Sequence, residues 1–177
     1  MSRVVPFVHS GYARIADDNY QTVDGRCLDA LVATWPLSGR IVDPCAPQGS
    51  GIVDALSAKG FAASGASDAF GVHDTDWIVT NPPYDRKVVD SIAEWCVGHV
   101  RQGLCQGAAF LMRANWDFAV SRAKLFEAPF YAGQTRMRFR PWWSKDRTAS
   151  PIHNFVWHVW LREPPQPEPV VLYWQQP

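Results

Sequence analysis

The segment Trp77-Ile78-Val79-Thr80-Asn81-Pro82-Pro83-Tyr84 constrains the fold more than any other part of the chain. Trp, Ile and Val in succession favour an extended strand. The two prolines then fix φ and remove two backbone donors, so the strand cannot run on past Asn81. Asn81 is therefore expected at the carboxyl end of a strand, which is where open α/β sheets bind their ligands.

The rest of the chain is consistent with such a sheet. Leu28, Leu31, Val32 and Trp35 recur at helical spacing and predict a helix over about 24–35, ended by Pro36. Residues 40–44 read as a strand. Gly and Ser at 49–51 open a helix to about 59, where Gly60 is placed to cap it. Residues 61–65 and 76–80 read as further strands. Val88, Ile92, Cys96 and Val100, flanked by Val89 and Ala93, give one apolar stripe on a helix. Strands over 107–112, 130–140 and 154–161 and a short helix over 118–127 complete the pattern, and this alternation predicts a parallel sheet. The expected organisation is an N-terminal arm (1–23), a compact single α/β domain (24–163) and a Pro-rich extension (164–177). In the extension, residues 170–174 either pack back or add an edge strand. At 177 residues the chain can bury a core without staples.

Composition narrows function only slightly. Lys+Arg and Asp+Glu are equal at 17 each, so any nucleic-acid contact has to come from a local patch. Cysteines 27, 45, 96 and 105 lack the spacing of a zinc site or a disulfide framework, and no metal is expected. No apolar run approaches the ~20 residues of a membrane span, and no leader-like start is apparent, so the expectation is a cytoplasmic protein with no membrane partner. The sequence leaves oligomeric state open.

Asn81-Pro82-Pro83-Tyr84 also has a chemical reading. The Asn81 amide oxygen and the Pro82 carbonyl, held by two fixed φ angles, can accept the two hydrogens of a planar amine, and the Tyr84 ring offers a face for stacking. The alternative is a plain turn or polyproline bend. The motif resembles the catalytic motif of methyltransferases that use S-adenosylmethionine (SAM), above all the small phage-type enzymes that methylate adenine N6 in DNA. That resemblance implies a Rossmann-like class I fold, a mostly parallel sheet with helices on both faces, SAM as cofactor and DNA as partner.

Other segments extend the resemblance over about residues 18–161. Val42-Asp43-Pro44-Cys45-Ala46-Pro47-Gln48-Gly49-Ser50-Gly51 is similar to the family's acidic, glycine-containing loop, with Pro47 at the position of its first glycine. The resemblance implies cofactor contacts at Asp43, Pro44, Gly49 and Gly51. It further implies a ribose-binding acid at Asp68 and a contact to the cofactor's adenine at Asp74. The alternative for Asp43 and Asp68 is a helix cap or a solvated turn. Tyr20 and Thr22 resemble a Tyr-x-Thr segment that folds over the methionine end of SAM, and an ordinary N-terminal arm is the alternative.

Residues 136–147 carry Arg136, Arg138, Arg140, Lys145 and Arg147 interleaved with Phe139, Trp142 and Trp143, against a single acid. Basic groups neutralise phosphates and aromatics stack on unpaired bases, so this strip suits DNA or RNA. The other reading is an edge strand with its tryptophans packed inward. Two rival functions stay open: amino-methyl transfer to a protein glutamine or to RNA, and a non-catalytic, degenerate methyltransferase-fold module.

Overall fold

The structure, a computed structural model, describes residues 22–46, 50–66, 68, 70–71, 74–127, 129–143 and 151–176. The strands are β1 (Arg40–Asp43), β2 (Ala62–Gly65), β3 (Trp77–Thr80), β4 (Gly107–Arg113), β5 (Tyr131–Met137), β6 (Phe155–Leu161) and β7 (Val170–Trp174). They form one seven-stranded sheet in the order β2-β1-β3-β4-β6-β5-β7. All neighbours are parallel except that β6 runs against both β4 and β5. The sheet is thus mixed. Among the described residues no helix or strand lies between β5 and β6, and a strand that returns directly beside its predecessor must run antiparallel to it.

Helices α1 (Arg26–Thr34) and α2 (Gly51–Ala58) cover one face, and α3 (Arg86–Arg101) covers the other. Ser50 starts α2 by accepting Ile52 N–H (3.1 Å) and Val53 N–H (3.4 Å), and Gly60 at φ 86° lets the chain leave it. The α1/α2 face buries Leu28, Leu31, Ile52 and Leu56 against Trp77, Val79 and Trp157. The α3 face buries Ile92, Cys96, Val97 and Val100 against Ile78, Phe110 and Trp160. Val88 departs from the predicted stripe: it is exposed, and Val89 takes the inward position. The helix predicted over 118–127 is instead two short 3-10 segments, Trp116–Phe118 and Val120–Leu125. Of the two alternatives for residues 170–174, the edge strand is the one formed, parallel to β5.

The crossovers decide where a ligand can sit. From β1 the chain crosses through α2 to β2 on one side, whereas β3 pairs on the other side of β1 and leaves through α3 on the opposite face. The direction of winding reverses between β1 and β3. In an open α/β sheet that reversal opens a crevice at the carboxyl ends of the two strands. Among the described residues no helix is long and apolar enough to cross a membrane.

Candidate active site

Asp43 ends β1 and Asn81 follows β3, so the two lie at the mouth of this crevice. Asp43 is only 5% exposed and accepts three neutral donors: Thr80 Oγ1 at 2.7 Å, Ser50 Oγ at 2.8 Å and Cys45 N–H at 3.1 Å. One carboxylate therefore ties the end of β3, the cap of α2 and the turn after β1 together. Burial pushes its pKa up, and the three hydrogen bonds offset that only in part. Among the described residues no cation pairs with it. It is a buried carboxyl group at the carboxyl end of β1, with no countercharge among the described residues.

Asn81 is buried and Tyr84 half-buried; the Tyr84 hydroxyl donates to Asn81 Oδ1. Burial raises the Tyr84 phenol well above its ordinary value, so the hydroxyl keeps its proton. Pro82 is buried and Pro83 partly so. Two groups frame the Tyr84 ring: the Arg113 guanidinium, at 5.8 Å, and Phe155, whose ring centre is 5.9 Å away. Cys45 beside Asp43 is pushed up to about 12, chiefly by burial and further by the Asp43 charge. It is a thiol here rather than a thiolate nucleophile.

Two sequence-remote segments meet at the start of α2. A Cβ added to Gly51 would lie 1.9 Å from the Thr22 carbonyl oxygen, so the approach of residue 22 requires glycine at 51. Thr22 is buried, and its Oγ1 has no hydrogen-bond partner among the described residues. Pro44 is buried in the turn after β1. Asp68 lies three residues beyond β2 on the same rim, exposed, accepting Phe70 N–H at 3.0 Å. Tyr20 and Gly49, with Pro47, lie outside the described residues.

Asp74 requires a correction. It precedes β3 and so sits at the amino-terminal edge of the sheet, where Arg40, the first residue of β1, grips its carboxylate through both terminal nitrogens. That guanidinium lowers its pKa. Asp74 is a partner of Arg40 on the rim opposite Asn81, at φ 55°, and not part of the crevice.

Beyond β5, Arg136, Arg138 and Arg140 line an open cleft of about 570 Å³ with Ala114, Phe139, Asn154, Phe155 and Tyr173. No carboxylate is among its described lining residues. Phe155 connects cleft and crevice: it lines the first, and its ring contacts both Tyr84 and Trp143 (4.7 Å). Trp143 thus packs inward on Phe155, but not from an edge strand: β5 ends at Met137 and lies between β6 and β7. The Trp142 N–H donates to Asp24 (3.2 Å), a buried carboxylate that Arg26 also holds. Burial acts to raise the Asp24 pKa, but Arg26 and the Trp142 N–H outweigh it and leave it lowered. Lys145 and Arg147 lie outside the described residues.

Sequence reasoning missed Ser50 and Thr80 as supports of Asp43, and Arg113, Phe155 and Tyr173 as walls. Ser50 carried a readable signal, since Ser directly before a helical run is a favoured cap. The walls carried none, because they come from strands far along the chain. No protein-family model matches the chain, and no curated protein does so.

Proposed function

We propose that the chain is a SAM-dependent methyltransferase acting on the exocyclic amine of adenine in DNA. The observation that carries this reading is the crevice between β1 and β3, where the buried Asp43, with no cation beside it among the described residues, is joined through Thr80 to the strand that presents Asn81. The residues suit the cofactor: an ammonium or sulfonium cation beside Asp43 would compensate its charge, the buried Thr22 hydroxyl has no partner among the described residues, and Asp68 stands on the same rim. When bound, SAM would supply a methyl group from a sulfonium that becomes a neutral thioether, and the methylated amine would then release one proton to water.

The chain's own contribution is to position and polarise. The adenine amine is a poor nucleophile because its lone pair feeds the ring. Asn81 Oδ1 and the Pro82 carbonyl accept its two hydrogens and draw the nitrogen toward tetrahedral geometry, an interaction strongest in the transition state. The target amine takes over the Asn81 oxygen that the Tyr84 hydroxyl otherwise holds. The Tyr84 ring, backed by Phe155 and Arg113, stacks on the base once it has left its helix. The arginine cleft beside the loop, with no acid among its described lining residues, favours a nucleic acid over a protein glutamine as the acceptor.

Isothermal calorimetry with SAM, followed by mass spectrometry of nucleosides from DNA incubated with enzyme and SAM, tests the proposal. Heat of binding and N6-methyladenine are expected. No binding at millimolar SAM would leave the non-catalytic module, and methylation of RNA or glutamine alone would reassign the substrate.

A further inference from the structure

The two faces of the β5–β7 margin are covered differently. Val170, Leu172 and Trp174 pack toward the core under α1, whereas Val171 and Tyr173 alternate to the other face. Tyr173 stays 57% exposed. Arg136 and Arg138, two residues apart on β5 and the turn that follows it, approach the Tyr173 ring to 5.9 and 5.2 Å. Arg136 also donates to the Tyr173 hydroxyl at 3.3 Å. One exposed ring is thus flanked by two guanidiniums in a cleft whose described lining holds no acid and whose volume, about 570 Å³, is that of a small-molecule site.

From this we infer that the cleft binds an unpaired nucleotide of the substrate strand, its base stacked on Tyr173 and its phosphates held by Arg136, Arg138 and Arg140. The inference rests on the nucleic-acid reading of the neighbouring crevice and narrows it to a substrate that is single-stranded or locally opened. An acidic peptide would satisfy the arginines but leave the ring unused. A paired base shows proteins its edges and not its face, so only an unstacked base can lie flat on Tyr173. Asn154 holds the Arg140 side chain at 3.1 Å, which fixes the far end of the cleft. Phe155 and Ala114, next to Arg113, join the cleft to Tyr84, so a strand lying in it would lead toward Asn81.

Fluorescence anisotropy without SAM, using labelled oligonucleotides of one sequence in single-stranded and duplex form, tests this apart from the cofactor. The single strand is expected to bind more tightly. Tyr173→Ala should weaken single-strand binding about tenfold, within the range for loss of one base stack, and leave duplex binding nearly unchanged. Tyr173→Phe should keep the affinity. Replacing both Arg136 and Arg138 by Gln should lower the slope of log affinity against log salt by roughly one to two units. If Tyr173→Ala fails to fold, Tyr173→Leu supplies apolar bulk without a stacking face and should weaken single-strand binding to the same degree. Unchanged single-strand affinity in these variants, a preference for duplex, or equal binding of an acidic peptide would overturn the inference. A protein that binds the single strand through Tyr173 yet gives no heat with SAM would keep this inference and refute the methyltransferase proposal.

Discussion

Gly51→Ala is the sharpest test of how the crevice is assembled. The added methyl would sit 1.9 Å from the Thr22 carbonyl oxygen and 2.8 Å from its carbon, both backbone atoms that no rotamer change can move. The segment at 22–24 would have to lift away, although Asp24 anchors it to Arg26 and Trp142. Overpacking of this kind costs roughly 1–3 kcal/mol. The gain in helix propensity from glycine to alanine, about 1 kcal/mol in a helix interior, counts for less at the first helical position, directly after the Ser50 cap. For a chain of this size, 1–3 kcal/mol corresponds to a fall in Tm of roughly 2–12 °C. Gly25→Ala is the matched control: its backbone is already helical (φ −58°, ψ −21°) and its Cβ would meet nothing within 4 Å. That change should stabilise by about 0.4–1 kcal/mol through the unfolded chain. Differential scanning calorimetry of the two variants should therefore show shifts of opposite sign, with SAM affinity reduced only in Gly51→Ala. Equal Tm values for Gly51→Ala and wild type would refute the packing of Thr22 on α2.

Asn81→Ala should lower the rate of methyl transfer on the order of 10²-fold or more while leaving SAM affinity nearly intact, measured by single-turnover transfer of labelled methyl. Tyr84→Phe keeps the ring and removes the competing hydroxyl from the Asn81 oxygen, so its kcat/KM should equal or exceed wild type, whereas Tyr84→Ala should raise KM. Asp43→Asn should hold or raise Tm at pH 7, because the folded protein resists ionising this buried acid, and yet weaken SAM binding in calorimetry. For the same reason wild-type SAM affinity should fall at a higher pH than an ordinary carboxylate would dictate, as protonation removes the charge. His158, lowered to about 3 by burial, stays neutral when folded but titrates near 6.5 when unfolded. Its contribution to stability is thus present above about pH 6.5 and lost progressively as pH falls toward 3. His158→Gln should flatten that part of a urea-melt pH profile.

What the sequence revealed was what is local. Trp77 to Thr80 forms its strand and stops at the prolines, and Leu28 and Leu31 face the core as their spacing requires. Asp43 and Asn81 fall at strand ends because each is followed by proline within one residue. The position of Asp74 was not legible, since sequence order places it near Asn81 while a four-residue strand carries Asn81 to the opposite rim. Nor was the reversal of β6, because an apolar strand reads the same in either direction. Val88 and Val89 are neighbours of equal hydrophobicity, and only the packed sheet decides between them. The inward turn of Trp143 likewise depends on Phe155, a residue of another strand.

The docking of α1 has a consequence for biosynthesis. Its described side-chain bonds to the sheet reach residues far along the chain: Trp35 Nε1 and Thr34 Oγ1 to Thr135, and Trp157 Nε1 to the Cys27 carbonyl, the last spanning 130 positions. On a ribosome this helix emerges well before β5 and β6 and has to wait, its apolar side incompletely covered, until they follow. Contacts of such long sequence separation slow folding and prolong the exposure of sticky surface. Synthesis of β5 and β6, more than the appearance of any early unit, is what lets α1 close onto the sheet.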